Sequence, residues 1–333
     1  MKAIMLNAYG GAENLSLGEV ETPQVGPDDV LLKVKYAGVR WGDIMAREGR
    51  PSKARPTPFV MGQEASGVVE AVGANVTKWK PGDRAMATPP GGAFAEYVAA
   101  PAAALMPVPE GVDLKQVLAY PVNLRTAYLA VYTWAKVAEG ERVLVHTAAG
   151  GVGLLLVQIL KRRFENVTVV GLTSTDEKAE IVRANGADHV INYKTTDYVE
   201  DIERIFGPKA SGFAALGERG GGVDVSLNGV SGSTMDTDPK VIRKRGRWVL
   251  YGYIGGRGQL NLAPIGYDGI TIMPFSCLAW AGTPDWTAAQ RFVRDWIQNE
   301  ELIEPTVFPL EQGAEAVRAF EDGSTWGKVV LEA

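Results

Sequence analysis

Hydrophobic and polar positions alternate in short runs through the first third of the chain. From Met1 to about Pro109, segments such as KAIMLN, LSLGEVE, DDVLLKVKYAGV and ASGVVEAVG are separated by the turn sequences GPDD, KPGD and PPGG. Alternation with a period of two residues between closely spaced turns is typical of antiparallel strands. We therefore expect this part to form a barrel-like β domain that contains little helix.

A different pattern begins after about residue 110. A helical stretch from Asn123 to Ala135 precedes apolar runs such as RVLVHT, NVTVVGLT, HVINY, VDVSLNGV and RWVLYGYIG, which alternate with amphipathic segments such as DEKAEIVRANG and YVEDIERIF. Buried strands that alternate with helices predict a parallel sheet covered on both faces. The middle of the chain is therefore predicted to be a doubly wound α/β domain.

These patterns divide the chain into three parts. We expect a first domain over residues 1–122, the α/β domain over 123–258, and a return to the first domain over 259–333. The last part carries two amphipathic helices, in DWTAAQRFVRDWIQNEE and GAEAVRAFEDG, and a closing strand in GKVVLEA. The segment 208–222, PKASGFAALGERGGG, is typical of a flexible insertion.

Composition narrows the classes of partner. The chain has 333 residues, and at about 100 to 200 residues per domain this length fits two domains. Hydrophobic residues make up 46% of it. With 34 Lys and Arg against 39 Asp and Glu, the formal net charge is -5, so we expect no nucleic-acid partner. No apolar stretch approaches the roughly 20 residues that span a bilayer, and no signal peptide is evident at MKAIMLNAYGG, so we expect a cytoplasmic protein without membrane insertion.

The scarcity of cysteine and histidine limits metal chemistry. Cys277 is the only cysteine in the sequence, which excludes zinc held by several thiolates. His146 and His189 lie in predicted strands without a neighbouring cysteine or paired carboxylates, so we expect packed or surface histidines rather than ligands. The sequence therefore predicts no metal site.

The most informative motif lies between a predicted strand and a predicted helix. In RVLVHTAAGGVGLLLVQILKRRF, Ala148, Gly150 and Gly153 follow the spacing GxGxxG, with alanine in the first place. Small residues at this turn let the backbone approach a pyrophosphate, which is stabilised by the helix N-terminus. The alternative is a tight glycine turn in an ordinary α/β domain, but the strand, glycines and helix in this order favour dinucleotide binding.

The end of the next strand bears on which dinucleotide binds. NAD sites place an acidic residue about 20 residues beyond the glycines, where this chain has Thr173 and Ser174. Hydroxyl groups leave room for a 2′-phosphate, and Lys178 supplies a cation one helical turn later, so we predict NADPH. Glu177, which could serve as the acid, instead fits a capping box with Ser174. Lys178 as a solvated helix lysine is the alternative.

Together these motifs resemble a known family. AAGGVG, TSTDEK, GADHVINY, GRWVLYG and the terminal GKVVL resemble the zinc-free medium-chain dehydrogenase/reductases of the quinone oxidoreductase (ζ-crystallin) group. ENVTVVG, NYKTTDYVEDI and VNLRTAY are especially similar to the vesicle amine transport protein 1 relatives. The resemblance implies a GroES-like catalytic domain, a Rossmann domain and a homodimer. The zinc-bearing branch has a histidine before the glutamate of GHE, whereas this chain has Gln63 there.

The resemblance also implies residues that contact each part of the cofactor. The pyrophosphate would contact Gly150, Gly151, Val152 and Gly153, and the 2′-phosphate would contact Ser174, Lys178 and Tyr193. The adenosine and ribose would lie along Asn228 and Gly229, and the nicotinamide would be near Tyr251 and Gly252. Lys328 would contact the phosphates from the catalytic domain. The alternatives are a strand-end aromatic for Tyr193, a core residue for Tyr251, and a surface lysine on an edge strand for Lys328.

The substrate side departs from the family pattern. Members usually have GLNFxDxYxRxG, whereas this chain has GVRWGDIMAREG, with Arg40 in place of asparagine and Met45 in place of tyrosine. Arg40 would either orient a carboxylate or carbonyl of the substrate or pair with Asp43 or Glu64. Arg40, Asn123 and Tyr251 are the candidate catalytic hydrogen-bond donors.

These features predict an NADPH-dependent, zinc-independent enzyme that reduces the activated C=C bond of an α,β-unsaturated carbonyl or a quinone. Hydride addition to the β-carbon leaves an enolate, whose charge hydrogen-bond donors can stabilise without a metal. One alternative is an NADPH-dependent carbonyl reductase. The other is a non-catalytic NADPH-binding protein similar to crystallins or vesicle proteins.

Overall fold

The computed structural model describes residues 1–50, 55–210, 219–256 and 258–333. The central part of the predicted insertion, residues 211–218, lies outside the described residues. The strands are β1 (Lys2–Leu6), β2 (Leu15–Glu19), β3 (Asp29–Val39), β4 (Phe59–Val60), β5 (Ala65–Val72), β6 (Arg84–Ala87), β7 (Tyr97–Pro101), β8 (Leu105–Pro107), β9 (Arg142–Val145), β10 (Thr168–Thr173), β11 (His189–Asn192), β12 (Val223–Asn228), β13 (Ile242–Leu250), β14 (Thr271–Pro274), β15 (Thr306–Pro309) and β16 (Val329–Glu332).

The α-helices are α1 (Trp41–Arg47), α2 (Leu114–Val117), α3 (Asn123–Tyr128), α4 (Gly151–Arg163), α5 (Asp176–Ala184), α6 (Tyr198–Phe206), α7 (Asp238–Val241), α8 (Leu262–Asp268), α9 (Pro284–Asn299) and α10 (Gly313–Glu321). A π-helical segment, Leu129–Ala135, directly continues α3, so the helical stretch expected over 123–135 is present in two forms. None of the described helices is long and apolar enough to cross a membrane.

The chain folds into two compact units. Unit 1 comprises Met1–Pro121 and Arg294–Ala333, and unit 2 comprises Val122–Val293. The predicted pair of a largely antiparallel β domain and a doubly wound α/β domain is thereby confirmed.

Unit 1 is built on β sheets. A seven-stranded sheet has the order β15-β16-β3-β5-β6-β8, with β7 also paired to β3, and a three-stranded sheet has the order β2-β1-β4. All pairs are antiparallel except β15 with β16. The long strand β3 shows the alternation that identified it, with Val30, Leu32 and Val34 buried in the core and Lys33 and Lys35 exposed.

Unit 2 is a six-stranded parallel sheet in the order β11-β10-β9-β12-β13-β14. Leu144, Val170, Ile191 and Trp248 belong to its buried apolar core, as expected for strands covered by helices on both faces. The expectation that residues 259–293 return to the first domain is wrong. In the structure β14 extends the parallel sheet beside β13, and this segment belongs to unit 2.

Candidate functional site

The glycine turn joins β9 to α4, as the motif predicted. Gly150 is the N-cap of α4 and offers no side chain, so no side-chain cap occupies the first-turn amides. A Cβ at Gly153 would lie 2.1 Å from the Thr147 carbonyl oxygen, which only glycine permits. Thr147 has a left-handed backbone, with φ of 47°. This local geometry leaves the helix N-terminus open to an anion.

The turn also lies at the topologically favoured place in the sheet. β9 is paired with β10 on one side and with β12 on the other, so the order of strands reverses here. In open α/β sheets, ligands bind in the crevice at the carboxyl ends of strands where this reversal occurs. The crevice at the ends of β9 and β12 is therefore the candidate dinucleotide site of unit 2.

The ends of β10 and β11 lie side by side next to this turn. The Tyr193 backbone amide donates to the Thr173 carbonyl over 3.1 Å, and the Tyr193 side chain is 42% exposed. The predicted Ser174 cap is wrong, because the hydroxyl of Thr175 accepts the bond from the Lys178 amide at 3.2 Å. Adjacent hydroxyl residues satisfy the same capping pattern, and the chain starts the helix one residue later. Ser174 thus lies outside the cap.

The acidic residues near this position are also placed by the structure. Asp176 is the first residue of α5, and its carboxylate accepts a bond of 2.9 Å from the Asn192 side-chain amide. Glu177 is exposed in the same first turn. Neither carboxylate lies at the end of β10, where an NAD site places its acid.

The loops after β12 and β13 are packed backbone against backbone. A Cβ at Gly252 would lie 2.4 Å from the Gly229 carbonyl oxygen, and a Cβ at Gly229 would lie 2.8 Å from the Tyr251 ring. Tyr251 is half-buried beside Thr147 with its hydroxyl enclosed, and burial raises the pKa of this hydroxyl well above the usual range, although Thr147 opposes the shift. The structure thus brings Gly229, Tyr251 and Gly252 to the glycine turn.

Asn228 has no exposed surface and all its side-chain hydrogen-bonding capacity is used within the protein. Its amide donates to Thr234 and to Asp238, both over 2.8 Å. Its oxygen accepts from the Val230 and Ser231 amides over 2.7 and 2.9 Å. The Asn228 side chain thus holds the loop that follows β12, and its expected place along the adenosine and ribose stays a prediction.

Asp238 lies at the centre of a buried network beneath these loops. Its Oδ1 is 2.9 Å from His146 Nε2 and accepts from the Tyr198 hydroxyl, while its Oδ2 accepts from Ser226 and Asn228. Burial alone raises the pKa of Asp238, but His146 and the hydrogen bonds outweigh it and hold the pKa below the usual value. His146 is the residue between β9 and Thr147. Its packed role, expected from the sequence, takes the form of this pair.

These features fit a dinucleotide. The glycine cradle that a Cβ at Gly153 would fill, the uncapped amides of α4 and the close loops at Gly229 and Gly252 leave room for a phosphate-bearing ligand near the backbone. The end of β10 carries hydroxyls rather than a carboxylate, which is compatible with an additional phosphate.

In unit 1 the departures from the family pattern form a polar cluster. Arg40 donates through its guanidinium to the Gln63 side-chain oxygen and through its backbone amide to Asp43 Oδ2 at 3.0 Å. Arg40 Nε and Asp43 Oδ1 are buried without a hydrogen-bond partner among the described residues. Burial raises the pKa of Asp43 to about 7, with Arg40 opposing the shift. The sequence left open whether Arg40 orients the substrate or pairs with Asp43 or Glu64; in the structure its guanidinium donates to Gln63.

Lys328 lies in the same unit, immediately before β16. It is 2% exposed and forms an ion pair with Glu64, which is also buried. The alternative of a surface lysine on an edge strand is wrong, because β16 lies between β15 and β3 and Lys328 is covered. A Cβ at Gly38 would lie 2.9 Å from Lys328 Nζ and from Glu64 Oε2, so a larger residue at this position would displace the ends of both side chains.

A small pocket opens beside Asp43 and Gln63. Its volume is about 170 Å³, and its lining includes Tyr9, Phe59 and Met61. Mostly apolar walls with a few polar groups are typical of a site for a small organic ligand. The sequence named Asp43 only as a partner for Arg40 and did not identify this pocket, because the burial of the residues in GVRWGD is not visible in their pattern.

The remaining candidate residues are less constrained. Asn123 is the first residue of α3 in unit 2, and Met45 is 38% exposed in unit 1. Trp296 is 1% exposed and belongs to the interior. Trp286 receives the Arg125 guanidinium 3.9 Å from its ring centre, and Trp280 packs edge-on against Trp134. Throughout the described ranges, no group of three or more His, Cys, Asp or Glu side chains could hold a metal ion.

Comparison with protein families matches both units. Residues 26–110 match the model described as an alcohol dehydrogenase GroES-like domain. Residues 151–295 match the model described as a zinc-binding dehydrogenase. The first range covers β3 to β8 of unit 1, and the second covers β10 to β14 of unit 2.

Individual proteins are similar over most of the chain. The synaptic vesicle membrane protein VAT-1 homolog of Homo sapiens is 35% identical over 353 residues, covering 99% of this chain and 86% of that protein. The quinone oxidoreductase of Homo sapiens is 32% identical over 266 residues, covering 79% and 76%. A mycobacterial protein structure complexed with NADPH is similar with a TM-score of 0.86 and 28% identity, covering 100% of both chains.

Proposed function

Because this chain belongs to the quinone oxidoreductase type of the zinc-free medium-chain dehydrogenase/reductases, we propose that it is an NADPH-linked oxidoreductase that reduces an activated C=C bond. The substrate class is α,β-unsaturated carbonyl compounds or quinones. The observation that carries the proposal is the uncapped glycine turn between β9 and α4, combined with hydroxyls instead of a carboxylate at the end of β10.

In this proposal unit 2 binds the dinucleotide. The Gly151, Val152 and Gly153 amides would hold the pyrophosphate, and Ser174, Lys178 and Tyr193 would surround the 2′-phosphate. Bound NADPH supplies a hydride to the β-carbon of the substrate. The enclosed Tyr251 hydroxyl, which burial keeps protonated even at high pH by raising its pKa, would be a hydrogen-bond donor on the nicotinamide side of the crevice.

Unit 1 supplies donors for the substrate oxygen. The enolate that follows hydride addition needs hydrogen-bond donors where the zinc-bearing branch has a metal. Arg40, the Gln63 amide and protonated Asp43 are donors of this kind, and they adjoin the pocket of about 170 Å³. A carboxylic acid whose pKa lies about 7 can give and recover a proton near neutral pH.

Carbonyl reduction is the competing enzyme activity. A reaction without zinc disfavours it, because an isolated alkoxide requires stronger electrophilic help than a conjugated enolate. We expect rapid NADPH oxidation with 2-cyclohexenone, an enal or 1,4-benzoquinone, and slow oxidation with cyclohexanone. Product analysis by mass spectrometry should show the saturated ketone from the enone. An alcohol as the first product would favour the carbonyl reductase, and no oxidation with any acceptor would favour the non-catalytic NADPH-binding protein.

We also propose a homodimer. β14 is the terminal strand of the described parallel sheet, and large apolar side chains near it are exposed, with Leu262 at 67%, Tyr267 at 89% and Leu278 at 66%. An unpaired sheet edge flanked in the sequence by exposed apolar side chains favours association with another chain. Analytical ultracentrifugation should give twice the chain mass of 35.7 kDa, and a monomer at micromolar concentration would contradict the proposal.

A further inference from the structure

The buried carboxylate of Asp238 connects the two loops that border the candidate dinucleotide crevice. On one side it contacts His146, the residue that follows β9 and precedes the glycine turn. On the other side it accepts from Asn228, the last residue of β12. His146 is also tied to β12 through its backbone, because its amide donates to the Leu227 carbonyl over 3.0 Å.

Both carboxylate oxygens of Asp238 must act as hydrogen-bond acceptors in this network. Oδ1 contacts His146 and the Tyr198 hydroxyl, each at 2.9 Å, and Oδ2 accepts from Ser226 at 2.7 Å and Asn228 at 2.8 Å. Asp238 has no exposed surface. A buried carboxylate is stable only when its lone pairs are satisfied in this way, and an amide in its place cannot accept at both atoms.

The effect of Asp238 reaches the crevice through Asn228. With its amide fixed by Asp238, the Asn228 oxygen receives the Val230 and Ser231 amides. Ser231 in turn donates through its hydroxyl to the Gly252 carbonyl over 2.9 Å, which joins the loop after β12 to the loop after β13. One carboxylate thus fixes the backbone around the ends of three strands.

We propose that Asp238 is a positioning residue for the dinucleotide, whose carboxylate holds the loops after β9 and β12 in the arrangement that binding requires. The inference rests on the proposed function, because it concerns the same dinucleotide. It assigns no contact between Asp238 and the ligand. Its effect is therefore expected on the affinity for any dinucleotide, not on the choice between two of them.

The test compares NADPH and NADH binding to wild type and Asp238→Asn by isothermal titration calorimetry. We expect both dissociation constants to rise about tenfold, equivalent to about 1.4 kcal/mol, with their ratio unchanged because the end of β10 is not altered. The matched control is Asp224→Asn. Asp224 is a buried carboxylate at the opposite end of β12, where it accepts from the Arg142 amide and from Arg219. This variant should lose stability but retain affinity for both dinucleotides.

A second pair of variants tests the link without altering the carboxylate. His146→Gln retains a donor toward Asp238, whereas His146→Leu removes it at similar volume. We expect His146→Gln to bind both dinucleotides within about twofold of wild type, and His146→Leu to bind them about tenfold more weakly. Equal affinities of this pair would overturn the inference, and this comparison decides the matter if Asp238→Asn does not fold.

The outcomes separate the two proposals. If wild type binds neither NADPH nor NADH, the proposed function is wrong. If wild type binds and Asp238→Asn binds equally well, only the positioning role is wrong. If Asp224→Asn weakens binding as much as Asp238→Asn, the effect is general destabilisation of unit 2, which also overturns the positioning role.

Discussion

Replacing Asp43 by asparagine should make the stability of unit 1 respond differently to pH. The pKa of Asp43 is raised from 3.8 to about 7 by burial, so the folded protein binds its proton more tightly than the unfolded chain does. The free energy of unfolding therefore falls as pH rises between about 4 and about 7. Asparagine has no proton to lose, and its oxygen can still accept the bond from the Arg40 amide.

The size of the effect follows from the pKa difference. About three units at about 1.36 kcal/mol each give about 4 kcal/mol for complete ionisation of the buried carboxyl. The linkage relation gives about 2.5 kcal/mol of this loss of stability between pH 5 and pH 8. The remainder occurs mainly below pH 5, where the carboxyl of the unfolded chain already ionises. Relative to wild type, Asp43→Asn should therefore gain about 2.5 kcal/mol over this interval.

Urea unfolding followed by tryptophan fluorescence at pH 5, 6, 7 and 8 measures this difference, with both proteins in the same buffers. Trp41 packs against the core of unit 1 and reports on its transition. The control is Asp28→Asn, an exposed carboxylate in the same unit that accepts from Asn75. A stability difference between Asp43→Asn and wild type that stays constant from pH 5 to pH 8 would refute the reasoning, since it would mean that Asp43 is ionised throughout.

Three further predictions concern the site. Lys178→Ala should weaken NADPH binding about tenfold and leave NADH binding unchanged, since a charge-assisted bond to phosphate contributes about 1.5 to 3 kcal/mol. Arg183→Ala on the same helix is the control in this calorimetric titration. Equal losses of affinity for both dinucleotides would exclude a contact between Lys178 and the 2′-phosphate. Arg40→Ala should lower kcat/KM for the enone about tenfold, equivalent to about 1.4 kcal/mol, without changing the affinity for NADPH. The control variant Arg50→Ala should leave kcat/KM unchanged. Steady-state kinetics of Arg40→Ala equal to wild type would mean that Arg40 has only a structural role. Activity should survive dialysis against a chelator, and loss of stoichiometric zinc together with turnover, measured by elemental analysis, would contradict a zinc-independent reaction.

The sequence was most informative where structure is decided locally. The β9 strand, the glycine turn and α4 are contiguous, so the hydrophobic pattern and the glycine spacing identified the dinucleotide turn. The alternating β3 strand was likewise evident from its own residues. Ser174 and Thr175 show the limit of this approach, because adjacent hydroxyl residues satisfy one capping pattern and only the backbone decides between them.

Contacts between residues that are far apart in the sequence could not be predicted from local sequence patterns. Asp238 and His146 are 92 positions apart, and Lys328 and Glu64 are 264 positions apart. Nothing in the amino-acid sequence around Asp238 indicates that its carboxylate accepts four hydrogen bonds. The placement of residues 259–293 failed for a related reason, because a short strand such as β14 carries no signal of which sheet it joins.

The left-handed backbone at Thr147 and Ser231, with φ of 47° and 54°, has a consequence for engineering this protein. Non-glycine residues in such conformations cost about 1 to 3 kcal/mol each, and here they occupy the loops after the neighbouring strands β9 and β12. Glycine would remove this strain at both positions, but at Ser231 it would also delete the hydroxyl bond to the Gly252 carbonyl. Selection for heat resistance alone could therefore accept glycine more readily after β9 than after β12, and each such change would remove one constraint that shapes the crevice before any ligand arrives.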